Sequence, residues 1–167
     1  MRTASKDNNL PENSIVLLYG VFDSKTLALL KKKKVKDVFI LEGRPDFTSS
    51  RHTARELNKL KIKPTLIADN MAGFLFHRGL VKEVWLSYQL LDPKGALCLI
   101  GSLILAVLGK AHRVPVRLFP TEKASKLVGK EKDIFYFNKQ KVAPKNIRGY
   151  VPLVEWVPDN YLMRSYE

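Results

Sequence analysis

The chain lacks most of the features by which a sequence declares its chemistry. One cysteine, Cys98, stands among 167 residues, which excludes a disulfide framework or a cysteine-based zinc site within one chain. No Gly-x-Gly-x-x-Gly follows a strand-like run and no Walker phosphate loop occurs, so the usual dinucleotide and nucleotide fingerprints are missing. No Gly-x-Ser-x-Gly elbow offers a hydrolase nucleophile. The three histidines, His52, His77 and His112, have no metal-ligand spacing, and neither a metal nor a cofactor is expected. The longest apolar run, 96–108, is broken by Gly101 and Ser102 and falls short of the roughly 20 residues that cross a bilayer; it reads as a buried helix. The first residues, MRTASKDNNLPENS, have no apolar core and do not read as a secretory signal. Residues 1–13 are expected to be a loose lead-in, and a cytoplasmic location is expected.

Acidic residues are also scarce. There are 16 of them against 29 Lys and Arg, a net charge of +13. Between Lys110 and Arg148 eleven basic residues face three acids, Glu122, Glu131 and Asp133. Such asymmetry marks either a solvated lysine surface or one that attracts RNA or an acidic partner without sequence specificity. Lys outnumbers Arg, whereas base-edge recognition leans on Arg.

What is present is strand–helix alternation. Ser14–Tyr19 (SIVLLY) is an apolar run of strand length, suited to a strand covered on both faces. Ser24 can N-cap a helix over Lys25–Lys34, and Val35–Leu41 reads as a second strand. A helix over Thr53–Leu60, starting as early as Ser50, leads to a third strand, Pro64–Ala68. Asp69 can N-cap the next helix, Met71–Arg78, which Gly79 stops. A fourth strand over Glu83–Tyr88, an Asp92-Pro93 loop, a helix over Ile100–Ala111 and a fifth strand, Val114–Phe119, complete the pattern. Asp133–Phe137 reads as a sixth strand and Tyr150–Val157 as a short extended segment. Short connections between alternating elements predict one α/β domain over 14–167. The expected architecture is a Rossmann-like, doubly wound three-layer sandwich with a mostly parallel sheet of about six to seven strands.

In such a sheet ligands bind beyond the carboxyl ends of the strands. The loop after the second strand places Glu42 and Arg44 there, around Gly43. They are either a mutual pair that orders the loop or groups that hold a polar, phosphorylated small molecule. Asp69 and Asn70 lie at the end of the third strand, and Gly101-Ser102 begins a helix whose free N–H groups suit a phosphate. Cys98 reads as a small buried hydrophobe unless its pKa is depressed.

EGRPDFTSSRHTARELNKLKIKPTLIADNMAGFLF resembles a stretch of one superfamily. Its members are the alpha, beta and delta subunits of translation initiation factor 2B, methylthioribose-1-phosphate isomerase and ribose-1,5-bisphosphate isomerase. The matching positions are Glu42, Arg44, Pro45, Thr53, Ala54, Glu56, Leu57, Thr65, Leu66, Ile67 and Asp69. Gly101-Ser102 with its apolar helix, and the Val114-Pro115-Val116 strand, resemble the family's next elements. The resemblance implies a Rossmann-like domain, a sugar-phosphate or nucleotide site, and a homodimer or larger oligomer. Trp156, Tyr161 and Met163 are candidates for that contact.

The chain also departs from the pattern. The chain is expected to lack the family's N-terminal helical domain. The family's catalytic Cys falls at about Gly20, its catalytic Asp at Gln89, and Leu99-Ile100 replaces an Asn-Lys pair. Three functions stay open. The first is a non-catalytic module that holds phosphate with Arg44, Ser102 and the Gly101 backbone, and hydroxyls with Glu42 and Asp69. The second is a divergent isomerase using Asp69, Asp92 or Cys98. The third is a translation-related interaction protein with a basic face.

Overall fold

Strand β1 (Ile15–Tyr19) is buried along its whole length, and its alternating side chains enter two different cores. Ile15, Leu17 and Tyr19 face one, Val16 and Leu18 the other, as the period-2 geometry of a strand requires. The computed structural model describes residues 12–162; most of the expected lead-in, and Met163, lie outside them.

After β1 come helix α1 (Ser24–Lys32), β2 (Asp37–Leu41), α2 (Thr48–Lys59) and β3 (Thr65–Ile67). A 3-10 turn over Asp69–Met71 leads into α3 (Ala72–His77), then β4 (Val81–Asp92) and β5 (Gly95–Leu99). Helix α4 (Ser102–His112) and β6 (Val116–Pro120) follow. Next are α5 (Glu131–Phe135), a two-residue hairpin of β7 (Tyr136–Phe137) and β8 (Gln140–Lys141), and finally β9 (Val154–Pro158).

The main sheet is a Rossmann-like, mostly parallel sheet of seven strands. β1 pairs in parallel with β2 and β4, β2 with β3, and β4 with β6. β5 runs antiparallel to β4, and β9 antiparallel to β5. Tyr88 pairs with Pro120 of β6 and with Cys98 of β5. Those two strands therefore flank β4 on opposite sides, and β5 takes the edge that β1 uses lower down. The hairpin thus passes over the carboxyl end of β1.

Helices cover both faces. Leu27 and Leu30 of α1 and Leu57 of α2 pack with Val16, Leu18 and Trp85. Leu75 and Phe76 of α3 and Leu105 and Ala106 of α4 pack with Ile15, Leu17 and Leu86. Each such side chain, fully buried, contributes roughly 1.5–3 kcal/mol. Glu83 is the one charged residue set deep in the sheet, at 5 % exposure. Its carboxylate accepts from Trp85 Nε1 at 2.9 Å, Arg117 Nε at 2.9 Å and Lys33 Nζ at 3.1 Å. Burial alone would raise its pKa, but the bonds from Arg117, Trp85 and Lys33 outweigh that and hold it below the usual value.

Several expected details differ. Asp23, not Ser24, caps α1: its Oδ1 accepts from Thr26 N at 2.7 Å. Helix α4 starts at Ser102 rather than Ile100. The Asp92-Pro93 loop is the tight turn of a hairpin, and the apolar run after it is shared between β5 and α4. The expected strand over Asp133–Phe137 is mostly helix α5. Asp133 Oδ2 accepts from Lys130 N at 3.0 Å, a helix-start bond that outweighs the strand propensity of Ile134–Phe137. Tyr161 packs against the core, and Trp156 lies on β9 beside Gly95, half-buried.

Candidate functional site

Where β1, β2 and β3 end, a cavity of about 630 Å³ opens between the strand ends and helices α3 and α4. Ligand pockets commonly measure roughly 300–1,000 Å³. Its walls are mainly apolar, from Leu41, Ile100, Ile104 and Leu108. Its polar groups come from four separate parts of the chain: Tyr19 at the end of β1, Arg44 after β2, Asp69 and Asn70 after β3, and Glu155 on β9. This is the strand-end location where ligands enter open α/β sheets.

Asp69 organises the loop it faces. Its Oδ1 accepts from Gly43 N at 2.9 Å and its Oδ2 from Arg44 N at 2.8 Å. No side-chain cap bond starts the following 3-10 turn, so the expected capping role goes to the neighbouring loop. Each carboxylate oxygen keeps a further lone pair for a hydroxyl donor.

The Arg44 side chain lines the cavity and also reaches the segment from α5 into β7. Its guanidinium donates to Tyr136 O at 3.2 Å and Ile134 O at 3.4 Å. It also lies 5.4 Å from the Phe47 ring centroid and 5.3 Å from that of Phe137. Glu42 and Arg44 make no ion pair among the described residues. Glu42 lines a separate hollow with Phe47, Arg51 and Phe137. Burial, then repulsion from Asp69, raises its pKa, and Arg44 partly offsets both.

The helix start at Gly101 is already occupied. Glu155 Oε1 accepts from Gly101 N at 2.7 Å and from Leu103 N at 2.8 Å. The chain's own carboxylate thus fills the place where a phosphate was expected, with the N-terminal partial charge of α4 favouring it. Tyr19 Oη donates to Ile100 O at 2.6 Å. Burial, together with the nearby carboxylates of Asp69, Glu155 and Asp46, pushes that phenol well above its ordinary pKa and keeps it neutral.

Of the residues expected from the sequence, Arg44, Asp69, Asn70 and Gly101 meet at this cavity. The others lie elsewhere. Ser102 is fully buried with its Oγ unpartnered, and Gln89 Nε2 is likewise buried without a partner. Neither lines the cavity. Asp92 Oδ1 accepts from Lys94 N at 2.7 Å and from Gly95 N at 3.2 Å, which holds the β4–β5 turn. Cys98 is fully buried, and burial with Glu155 opposite pushes its thiol up to about 12. Gly20 (φ +147°) has no space for a side chain, because a Cβ there would overlap Ser87 Oγ. His52 Nε2 sits 2.6 Å from Glu122 Oε2, a contact away from the cavity.

Tyr19 and Glu155 were not singled out from the sequence. Glu155 is the one acid in the apolar segment YVPLVEWVP, and an isolated acid in such a run was the available signal. Among the described residues, no group of three or more His, Cys, Asp or Glu could hold a metal ion. No described helix is long and apolar enough to cross a membrane.

The sequence pattern of the initiation factor 2 subunit family matches residues 8–163. The chain belongs to that family. It is similar to methylthioribose-1-phosphate isomerase of Thermus thermophilus, 28% identical over 156 residues, covering 86% of this chain and 47% of the relative. The enzyme of the same name from Syntrophus aciditrophicus is 30% identical over 156 residues, covering 86% of this chain and 42% of the relative. Two solved structures share the fold. The translation initiation factor eIF-2B delta subunit from A. fulgidus superposes with a TM-score of 0.75 at 22% identity, covering 92% of this chain and 51% of that one. The 5-methylthioribose 1-phosphate isomerase from Pyrococcus horikoshii gives 0.77 at 21%, covering 92% and 49%. This family member spans about half the length of the relatives it matches.

Proposed function

We propose that this member of the family binds a phosphorylated sugar or nucleotide at the β1–β3 strand ends and does not transform it. The observation that carries the reading is the convergence of Arg44, Asp69 and Glu155 on one otherwise apolar cavity. Asp69 and the free Glu155 oxygen accept hydroxyl donors. Arg44, with unused donors on its guanidinium, takes the phosphate at the rim. The apolar wall of Leu41, Ile104 and Leu108 receives the uncharged end of the molecule.

Isomerisation of an aldose phosphate needs an acid or base held at the reacting carbons. The two positions where the resemblance places the family's catalytic groups offer neither. Gly20 has no room for a side chain, and Gln89 does not ionise or line the cavity. Asp92 is held in a turn and Cys98 is buried. Those positions support binding without chemistry.

Thermal unfolding with ribose 1,5-bisphosphate, methylthioribose 1-phosphate and AMP tests the reading. At a ligand concentration of 100 times Kd, stabilisation is about 2.7 kcal/mol, a Tm rise of roughly 5–10 °C for a chain of this size. Gly73 supplies the specific control. It lines the cavity on α3, and a Cβ there meets nothing within 4 Å. Gly73→Leu adds an apolar side chain at the cavity wall, where a Cβ meets no neighbour, and is expected to abolish the rise. A rise unchanged in Gly73→Leu places the ligand elsewhere.

A further inference from the structure

The segment from Thr121 to Tyr150 carries eight Lys or Arg against three acids, and every one of the eight is exposed. None of them enters an ion pair among the described residues. The acids are engaged within the fold. Glu122 meets His52 at 2.6 Å, Glu131 accepts from Gly149 N at 3.4 Å, and Asp133 accepts from Lys130 N at 3.0 Å. The positive charge of this surface therefore faces solvent without local neutralisation.

Aromatic rings stand among these cations in register. On the β7–β8 hairpin Tyr136 pairs directly with Lys141, and Tyr136 is 47 % exposed. An antiparallel bridge joins Val128 to Pro152, and Gly129 N donates to Val151 O at 2.8 Å. Tyr150, two residues before Pro152 in the chain, is 82 % exposed. Gly149 packs against Ile134 and Phe135 of α5, so Tyr150 and Arg148 lie beside the helix that leads into the hairpin. The segment thus holds two exposed phenol rings among its exposed cations, Tyr136 directly paired with Lys141.

We propose that this surface binds single-stranded nucleic acid, with bases stacked on Tyr136 and Tyr150 and phosphates held by the lysines beside them. An exposed ring accepts any base, and a neighbouring ammonium meets the phosphate that follows it. Lysine predominates over arginine here, which suits backbone attraction rather than base-edge reading. A flat acidic protein surface would use the cations and leave the rings idle. The rings therefore favour a strand with free bases. Neither tyrosine and none of the eight cations lines the strand-end cavity; Arg44, which does, meets this surface through the backbone oxygens of Ile134 and Tyr136.

Fluorescence anisotropy of the full chain with a labelled oligouridylate of about 12 nucleotides tests the proposal. Binding at low salt is expected, weakening steeply as salt rises, with a log–log slope near −3 for about four neutralised phosphates. Lys139→Gln with Lys141→Gln shallows that slope by about 1.4. Tyr150→Ala and Tyr136→Ala each weaken binding about tenfold and leave the slope unchanged. Both rings are exposed, so these variants keep the fold, and circular dichroism verifies it. Duplex DNA of equal length, and polyglutamate as an acidic-protein mimic, bind less tightly. Absence of binding at low salt overturns the proposal. So does equal affinity for polyglutamate, or an affinity indifferent to both tyrosines; either result makes the surface a docking site for acidic protein instead.

Discussion

Ser87 occupies the space that a side chain at Gly20 would need. Its Oγ accepts from Val21 N at 3.0 Å, and a Cβ built on Gly20 would overlap it. Gly20 sits at φ +147°, so a side chain there meets backbone strain and a steric clash together. Gly20→Cys, which would place a thiol where the resemblance puts the family's cysteine, is expected to destabilise the protein by roughly 2–4 kcal/mol. Adding Ser87→Gly relieves the side-chain overlap but leaves the close backbone N of residue 87 and the strain, and takes the acceptor from Val21 N, so it recovers little. Chemical denaturation of the single and double variants measures both.

Cys98 lies inside the sheet opposite Glu155. With its thiol pushed up to about 12, it is protonated across the physiological range and reacts only as the thiolate forms. The native protein is expected to resist Ellman's reagent at pH 8 and to titrate one thiol once unfolded. Rapid labelling of the folded chain contradicts the buried placement.

Glu155 joins β9 to the start of α4. Glu155→Ala leaves the Gly101 and Leu103 N–H groups without their carboxylate and costs about 1–3 kcal/mol. The vacated helix start then accepts an external anion. Sulfate is expected to restore part of the lost stability in Glu155→Ala and little in the parent protein, as read by Tm against sulfate concentration at constant ionic strength.

Glu83 makes stability depend on acid. Its pKa is held below its unfolded value by Arg117, Trp85 and Lys33. Its contribution is thus full above about pH 4.5, the unfolded carboxylate value, and is lost as pH falls through the lower folded pKa. Partial exposure of Lys33 and Arg117 keeps the effect modest. Glu83→Gln is expected to lower stability at pH 7 and to flatten the acid limb of the stability–pH curve. A parallel downward shift at every pH contradicts this.

Much of this architecture is legible in the sequence because it is local. The apolar run at β1, the capped helix α1 and the strand–loop–helix around Arg44 each declare themselves within about ten residues. β5 does not, because the run from Ala96 to Leu108 is divided between a strand and a helix, and periodicity cannot mark that division. Within the site, Arg44 and Asp69 follow from their positions at strand ends. Glu155 does not, because it caps a helix start by bonding Gly101 N, 54 residues earlier in the chain. The expected phosphate site at Gly101-Ser102 depended on the helix start alone and could not register the carboxylate that fills it.

The central claim is binding without turnover, and phosphorus NMR of methylthioribose 1-phosphate, ribose 1,5-bisphosphate and AMP titrated with the protein tests both halves at once. The account predicts a saturable change in the phosphate resonance of at least one of them, lost in Gly73→Leu, with no product after prolonged incubation. Conversion to a ketose phosphate contradicts it, as does no change in the resonance of either sugar phosphate or of AMP at millimolar concentration.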